Sequence, residues 1–368
     1  MAPANRLSPP RAKGSEYMEW AKTRSQARFN LASSGVAELP MAELPVRLED
    51  LELTGPSFYG YPPLQERLAK KAGVSAECVV AATGTSMANY LALSAFLEPG
   101  DAALVEEPTY GPLVDAASYL GAEVRRFPRR SENGFAIDPA DVERALTPRT
   151  RLVVLSNLHN PSNALVGEEE MRRIGELAGR AGARVLVDEV YLDALFERAP
   201  RSAFVLDPER FVVTSSLTKA YGLGGLRCGW IVADPSSARR IWRLNDLFAS
   251  VPSHAAEKLS IVALDHLAPI AARAKALLDG NRATLQRFFD GRAELEVPRL
   301  QAGMIAFPHL RRGSVDALCA VLRDKYDTTV VPGRFFGRSD HFRISYGCRP
   351  ETLAGGLKGL GTALDEIA

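Results

Sequence analysis

Phe211-Val212-Val213-Thr214-Ser215-Ser216-Leu217-Thr218-Lys219-Ala220-Tyr221-Gly222-Leu223-Gly224-Gly225-Leu226-Arg227 passes from an apolar, β-branched run into a lysine set among small hydroxyl residues and glycines. Glycine costs about 1 kcal/mol per helical position relative to alanine, so nothing beyond Thr214 favours a stable amphipathic helix. The stretch reads as a strand followed by a loop that brings Lys219 and Arg227 to one point. An amine can form a Schiff base, and a phosphate is held by hydroxyls and a guanidinium. The pairing suggests pyridoxal phosphate.

The same strand-then-loop pattern repeats on the N-terminal side. Candidate strands are Cys78–Ala82, Ala102–Glu106, Glu123–Phe127, Arg151–Leu155, Arg184–Asp188, Phe211–Thr214 and Leu226–Ala233, with helical stretches such as Ser86–Leu97, Asp138–Leu146 and Glu168–Arg180 between them. This alternation predicts an α/β fold with a mostly parallel seven-stranded sheet wrapped by helices. Ligands of such sheets bind at the carboxyl ends of strands. Gly84-Thr85-Ser86, Asn160, Asp188 and Lys219 each end or follow a candidate strand, so four loops converge on one edge. After Asp246 the texture changes to a long helical region over about Ser253–Phe289, possibly broken, then Met304–Phe307, a helix near Ser314–Tyr326, a strand at Phe342–Tyr346 and a final helix. The expected organisation is an N-terminal arm over 1–30, partly disordered, a large α/β domain over 51–246, and a smaller α+β domain from 31–50 and 247–368.

Three further segments sharpen the reading: Ser156-Asn157-Leu158-His159-Asn160-Pro161-Ser162-Asn163, Arg184-Val185-Leu186-Val187-Asp188-Glu189-Val190-Tyr191, and Val331-Pro332-Gly333-Arg334-Phe335-Phe336-Gly337 followed by Phe342-Arg343-Ile344-Ser345-Tyr346-Gly347. With the lysine segment, in this order and spacing, they resemble the class I/II aminotransferases of the fold-type I pyridoxal-phosphate enzymes, from about Leu31 to the C-terminus. The resemblance implies that Lys219 carries pyridoxal 5'-phosphate as an aldimine and passes the proton between Cα and the cofactor. It implies that Asp188 pairs with the pyridine nitrogen, that Asn160 and Tyr191 reach the ring hydroxyl, and that Tyr110 stacks on the ring. Gly84, Thr85, Ser86, Ser216 and Arg227 become the phosphate site, and Arg343 with Gly35 and Asn160 the substrate α-carboxylate site. Tyr59 or Tyr61, in Phe58-Tyr59-Gly60-Tyr61-Pro62-Pro63, matches a tyrosine that reaches the neighbouring subunit's phosphate, which implies a homodimer with shared sites. The Leu226–Ala233 strand is expected to be antiparallel, as in the family.

The residue types support these roles independently. A strand-to-helix turn with Gly, Thr and Ser either cradles a phosphate on backbone N–H groups or simply caps the helix. A carboxylate ending an apolar strand is costly unless paired, and arginine's fork binds a carboxylate in bidentate fashion. One departure is Asn163, where the family usually has glycine; asparagine is the next most tolerant residue of a left-handed backbone.

The expected activity is transfer of an amino group from an L-amino acid to a 2-oxo acid. A lyase or cyclase of amino-acid biosynthesis using the same residues is the alternative. Gly84-Thr85-Ser86-Met87-Ala88 also nearly matches the G-x-S-x-G elbow of serine hydrolases, but no histidine has a persuasive partner aspartate. Lysine plus arginine total 45 against 44 aspartate plus glutamate, which offers no electrostatic reason for a nucleic-acid or anionic-membrane partner. No apolar run is long enough to span a bilayer, and Met1–Lys13 lacks the apolar core of a secretory signal. Four scattered cysteines favour free thiols and a cytoplasmic location. Tyr17, Trp20 and Phe29 of the arm either form a substrate lid or pack on the small domain.

Overall fold

The computed structural model describes residues 11–367. Residues 1–10, within the arm expected at 1–30, lie outside the described residues, as does Ala368.

Seven strands form the central sheet: β1 Val79–Thr83, β2 Ala102–Glu107, β3 Glu123–Pro128, β4 Thr150–Ser156, β5 Arg184–Asp188, β6 Phe211–Ser216 and β7 Cys228–Val232. Their order is β1-β7-β6-β5-β4-β2-β3. Strand β7 runs antiparallel to both of its neighbours, and the remaining pairs are parallel. Leu226 falls outside β7, in a short turn Gly224–Leu226, because Arg227 takes a left-handed φ of 51° that no strand accommodates.

Side-chain alternation along each strand feeds two cores. Leu152, Val154, Leu186 and Val212 pack with Ala88, Leu91 and Ala92 of α3 (Gly84–Phe96) on one face. Val153, Leu155, Val185, Val187 and Val213 pack with Met171, Ile174 and Ala178 of α6 (Glu168–Arg180) on the other. Burial on both faces is why the central strands read as continuous apolar runs.

A second, three-stranded sheet has β10 (Phe342–Ser345) between β8 (Ile305–Ala306) and β9 (Val331–Pro332), all antiparallel. The long helical region is two helices, α8 (His254–Asp265) and α9 (Leu267–Asp290), which meet at His266. Helices α10 (Val315–Tyr326) and α11 (Pro350–Ile367) complete this part. Near the N-terminus, α1 (Glu16–Thr23) leads to Phe29–Asn30, which pairs in parallel with Thr328–Thr329. Ser345 N then donates to Leu31 O at 2.8 Å, which steers residues 32–35 along β10 toward the carboxyl edge of the large sheet. Among the described residues, no helix is long and apolar enough to cross a membrane.

Candidate active site

A cavity of about 340 Å³ opens at the carboxyl ends of β1, β2, β4, β5 and β6. Its wall includes Thr85, Ser86, Tyr110, Asn160, Asp188, Tyr191, Ser216, Lys219 and Arg227. Nine of the residues singled out from the sequence therefore share one space. The remaining five stand in different relations to it.

Lys219 follows β6, and its Nζ donates to Ser34 Oγ at 3.1 Å. Burial draws its amine down to about 8, helped by the nearby Arg343 and opposed by Asp188. Asp188 ends β5. Its Oδ2 accepts from Asn89 Nδ2 at 2.8 Å and its Oδ1 from Val190 N at 3.0 Å. Burial pushes that carboxyl up to about 6, against the pull of Asn89, Val190 and Lys219. The Thr214 hydroxyl donates to Asn89 Oδ1, which fixes the amide so that its NH₂ faces Asp188. Tyr191 is fully enclosed, and burial raises its hydroxyl to about 12. Tyr110, at the start of α4 (Gly111–Tyr119), has its hydroxyl pushed further up by burial and donates to Met18 Sδ at 3.5 Å.

At the opposite end of the cavity the chain turns from β1 into α3. Gly84 N donates to Arg227 O at 2.7 Å. Gly84 has a φ of +73°, and a Cβ on it would lie 2.2 Å from Arg227 Nη2, so only glycine fits between helix and guanidinium. Arg227 bonds to the carbonyls of Gly224 and Thr83 and pairs with no carboxylate among the described residues. Thr85 Oγ1 and Thr218 Oγ1 are buried without a partner. A helix N-terminus, an uncompensated guanidinium and two orphaned hydroxyls suit a dianion such as a phosphate monoester. The cavity thus fits pyridoxal phosphate, with a cation-binding end, a buried acid and a buried amine at separate places.

Arg343 sits on β10 with no exposed surface. Its Nη1 donates to Asn160 Oδ1 at 2.9 Å, and its Nη2 donates to Tyr17 Oη and to Ala32 O, both at 2.9 Å. Its Nε is buried without a partner, and no carboxylate pairs with it among the described residues. An unpaired buried charge is expensive, and a guanidinium held in this way has the fork geometry that suits a carboxylate.

Gly35 lies behind the wall, with its Cβ position 3.7 Å from Lys219 O, while the neighbouring Ser34 faces the cavity. Tyr59 and Tyr61 do not reach this cavity. Tyr59 is about half exposed and donates to Asp246 Oδ2 at 3.2 Å, and Tyr61 packs edge-on against His254. Asn163 adopts a left-handed φ of 69°, which asparagine tolerates better than most residues, with its Nδ2 donating to Ala302 O. None of the five histidines lines the cavity, so Ser86 has no histidine partner there. Of the arm residues, Tyr17 and Trp20 both line the cavity and pack with Phe307, Val331 and Phe336. Phe29 instead packs over Gly355 of α11.

The sequence reading missed Asn89, Ser34 and Ser156. Asn89 is a buried amide in the apolar helix Gly84–Phe96, five residues after Gly84, and only its burial marks it.

Comparison with known proteins agrees with this geometry. The family model for aminotransferase class I and II matches residues 49–360. Capreomycidine synthase of Streptomyces vinaceus is 33% identical over 94% of this chain and 92% of its own. A PLP-dependent aminotransferase from Streptococcus suis superposes with a TM-score of 0.91 at 25% identity, covering 98% of this chain and 99% of that one. The PLP-dependent cyclase OrfR superposes with a TM-score of 0.87 at 26% identity, covering 98% and 99%.

Proposed function

Because the chain belongs to the class I and II aminotransferase family, whose members depend on pyridoxal phosphate, we propose that it moves the amino group of an L-amino acid to a 2-oxo acid, with Lys219 as the proton carrier. One observation carries the reading. A buried amine drawn down to about 8, Lys219, and a buried acid, Asp188, line one cavity, and a buried guanidinium without a carboxylate, Arg343, backs its wall through Asn160 and Tyr17.

The phosphate would rest on the α3 N-terminus with Ser86, Ser216, Thr218 and Arg227. The ring nitrogen would meet Asp188, the ring hydroxyl Asn160 and Tyr191, and the aldehyde Lys219. Pyridoxal phosphate supplies the electron sink that makes the Cα–H bond of an amino acid labile. Arg343 takes the α-carboxylate and fixes which substituent of Cα faces Lys219. Near neutral pH an amine drawn down to about 8 has an appreciable free-base fraction, so Lys219 Nζ can take a proton from Cα and would pass it on to the cofactor. Asp188, backed by Asn89, keeps a negative charge where a protonated ring nitrogen needs it. Tyr17 and Trp20 of α1 close the cavity toward water.

Two subunits complete the site in this reading. Phe58, Leu247, Phe248 and Val251 expose large apolar surface near Tyr59, and a second copy would cover them. Tyr59 or Tyr61 would then serve the neighbour's phosphate, since neither reaches its own chain's cavity. The four free cysteines fit a cytoplasmic enzyme.

A second reading is elimination or cyclisation on the same residues. Its support is the 33% identity to a capreomycidine synthase across nearly the whole chain, with a cyclase among the structural neighbours. Product analysis separates the two: incubation with pyridoxal phosphate, single amino acids and a 2-oxo acid gives matched yields of new 2-oxo acid and new amino acid under the first reading. Loss of the amino acid without any need for the 2-oxo acid establishes the second. An amino-acid pool left untouched across a broad panel contradicts both.

A further inference from the structure

Asn160 is gripped from two sides. Its Oδ1 accepts from Arg343, and its backbone N–H donates to Ser156 Oγ at 3.0 Å. Ser156 donates from that same Oγ to Glu106 Oε1 at 2.7 Å, and its backbone N–H reaches the same oxygen at 2.8 Å. Glu106 Oε2 accepts from Arg129 Nη1 at 2.7 Å, and neither side chain of this pair has any exposed surface. Arg129 is anchored in turn by donating from Nε to Phe135 O at 2.6 Å. An unbroken line of hydrogen bonds therefore connects Arg129, Glu106, Ser156, Asn160 and Arg343, and it passes from the interior of the large sheet to β10.

A buried ion pair is a poor way to fill a core, because apolar residues of the same volume do it at least as well. This pair has a directional consequence that apolar residues lack. A carboxylate only accepts, so the Ser156 hydroxyl proton must point at Glu106, and its lone pair is left facing the Asn160 N–H. We propose that Glu106 is a positioning residue of the active site: by orienting the Ser156 hydroxyl it places Asn160, and through Asn160 the guanidinium of Arg343. Burial pushes the Glu106 carboxyl up, and Arg129 and the two Ser156 bonds pull against that toward the accepting form. The inference rests on the reading above, in which Asn160 and Arg343 contact cofactor and substrate.

Ser156→Ala is the incisive variant, because it removes one hydroxyl and leaves the Glu106–Arg129 pair and the Ser156 N–H bond in place. In cofactor-free protein the Asn160 amide is expected to exchange with solvent about tenfold faster or more, the loss of one hydrogen bond. In loaded enzyme KM for the amino substrate rises, with a smaller change in kcat. The pH at which the visible band changes shifts in the same direction as in Asn160→Ala. Ser156→Thr, which keeps the hydroxyl, restores all three. Glu106→Gln gives the same changes with a lower yield of folded protein, and where it does not fold Ser156→Ala decides. Unchanged exchange at Asn160 in Ser156→Ala overturns the proposal, and so does faster exchange with KM and band unaltered. If the wild type forms no visible band with pyridoxal phosphate, the proposed function fails, whereas the exchange of the Asn160 amide still decides whether Ser156 and Glu106 place it.

Discussion

Arg343 Nη2 donates to the Tyr17 hydroxyl at 2.9 Å, which ties helix α1 to the guanidinium whose fork suits a carboxylate. Tyr17 also packs edge-on against Tyr110, with ring centroids 5.6 Å apart. A single side chain of the arm therefore touches both the carboxylate site and the aromatic wall. Helix α1 cannot leave the cavity without breaking the bond to Arg343.

Tyr17→Phe keeps the packing and removes the hydroxyl. Hydrogen bonds to charged groups contribute about 1.5–3 kcal/mol, so KM for the amino substrate should rise by about tenfold or more, with a smaller fall in kcat. Steady-state kinetics on both substrates check this. An unchanged KM would mean that the hydroxyl does not orient Arg343.

Asn89→Ala leaves the Asp188 carboxylate buried with one donor fewer. Its pKa then climbs further, and it holds less negative charge at neutral pH. The expected result is a fall in kcat of about 10–100-fold, comparable to removing a preorganised electrostatic contact, with cofactor still bound. Kinetics with a parallel measurement of bound cofactor separate this from simple loss of pyridoxal phosphate.

Gly84→Ala places a methyl group against Arg227 on a left-handed backbone. Cofactor affinity should drop sharply while the sheet remains folded, because the strain is confined to the turn. Absorbance titration with pyridoxal phosphate, alongside circular dichroism, tests it. Near-native affinity would remove this turn from the phosphate site.

Folding stability of the cofactor-free protein carries a pH signature. Asp188 is raised from 3.8 to about 6 and Glu189 from 4.5 to about 7, both by burial. An acid raised in the folded state contributes stability that is complete below its ordinary value and is lost as pH rises through the folded one. Asp188 therefore costs the fold progressively between about pH 4 and pH 6, at most about 3 kcal/mol. Lys219, lowered from 10.5 to about 8, contributes stability above its ordinary value that is lost as pH falls through about 8. Relative to wild type, Asp188→Asn should gain in Tm as pH rises through about 6, and Lys219→Met should gain as pH falls through about 8. Parallel melting curves across pH would show no such difference if either group were solvated.

Much of this was written locally in the chain. The strands β4 to β6 are apolar runs that end in polar turns, and a parallel sheet brings such turns to one edge, so Asn160, Asp188 and Lys219 were legible. Tyr17 was not assigned to Arg343, because its partner lies 326 residues away and nothing local marks the pairing. Asn89 resembles the solvent face of a helix until the sheet edge is known to lie against it. The start of β7 was placed too early because the left-handed turn at Arg227 has no side-chain signature. Tyr59 and Tyr61 stay a pair without a choice between them, since the contact expected of one of them is with another subunit.

The account stands on Lys219 as the amine that holds the cofactor. The most direct measurement is the visible absorption spectrum of wild type and Lys219→Ala after loading with pyridoxal phosphate and removing the excess. The wild type should keep a band that changes on adding an amino-acid substrate, and the variant should keep no covalently attached cofactor and turn over no substrate. A Lys219→Ala protein that retains the cofactor covalently, or works at the native rate, would contradict it.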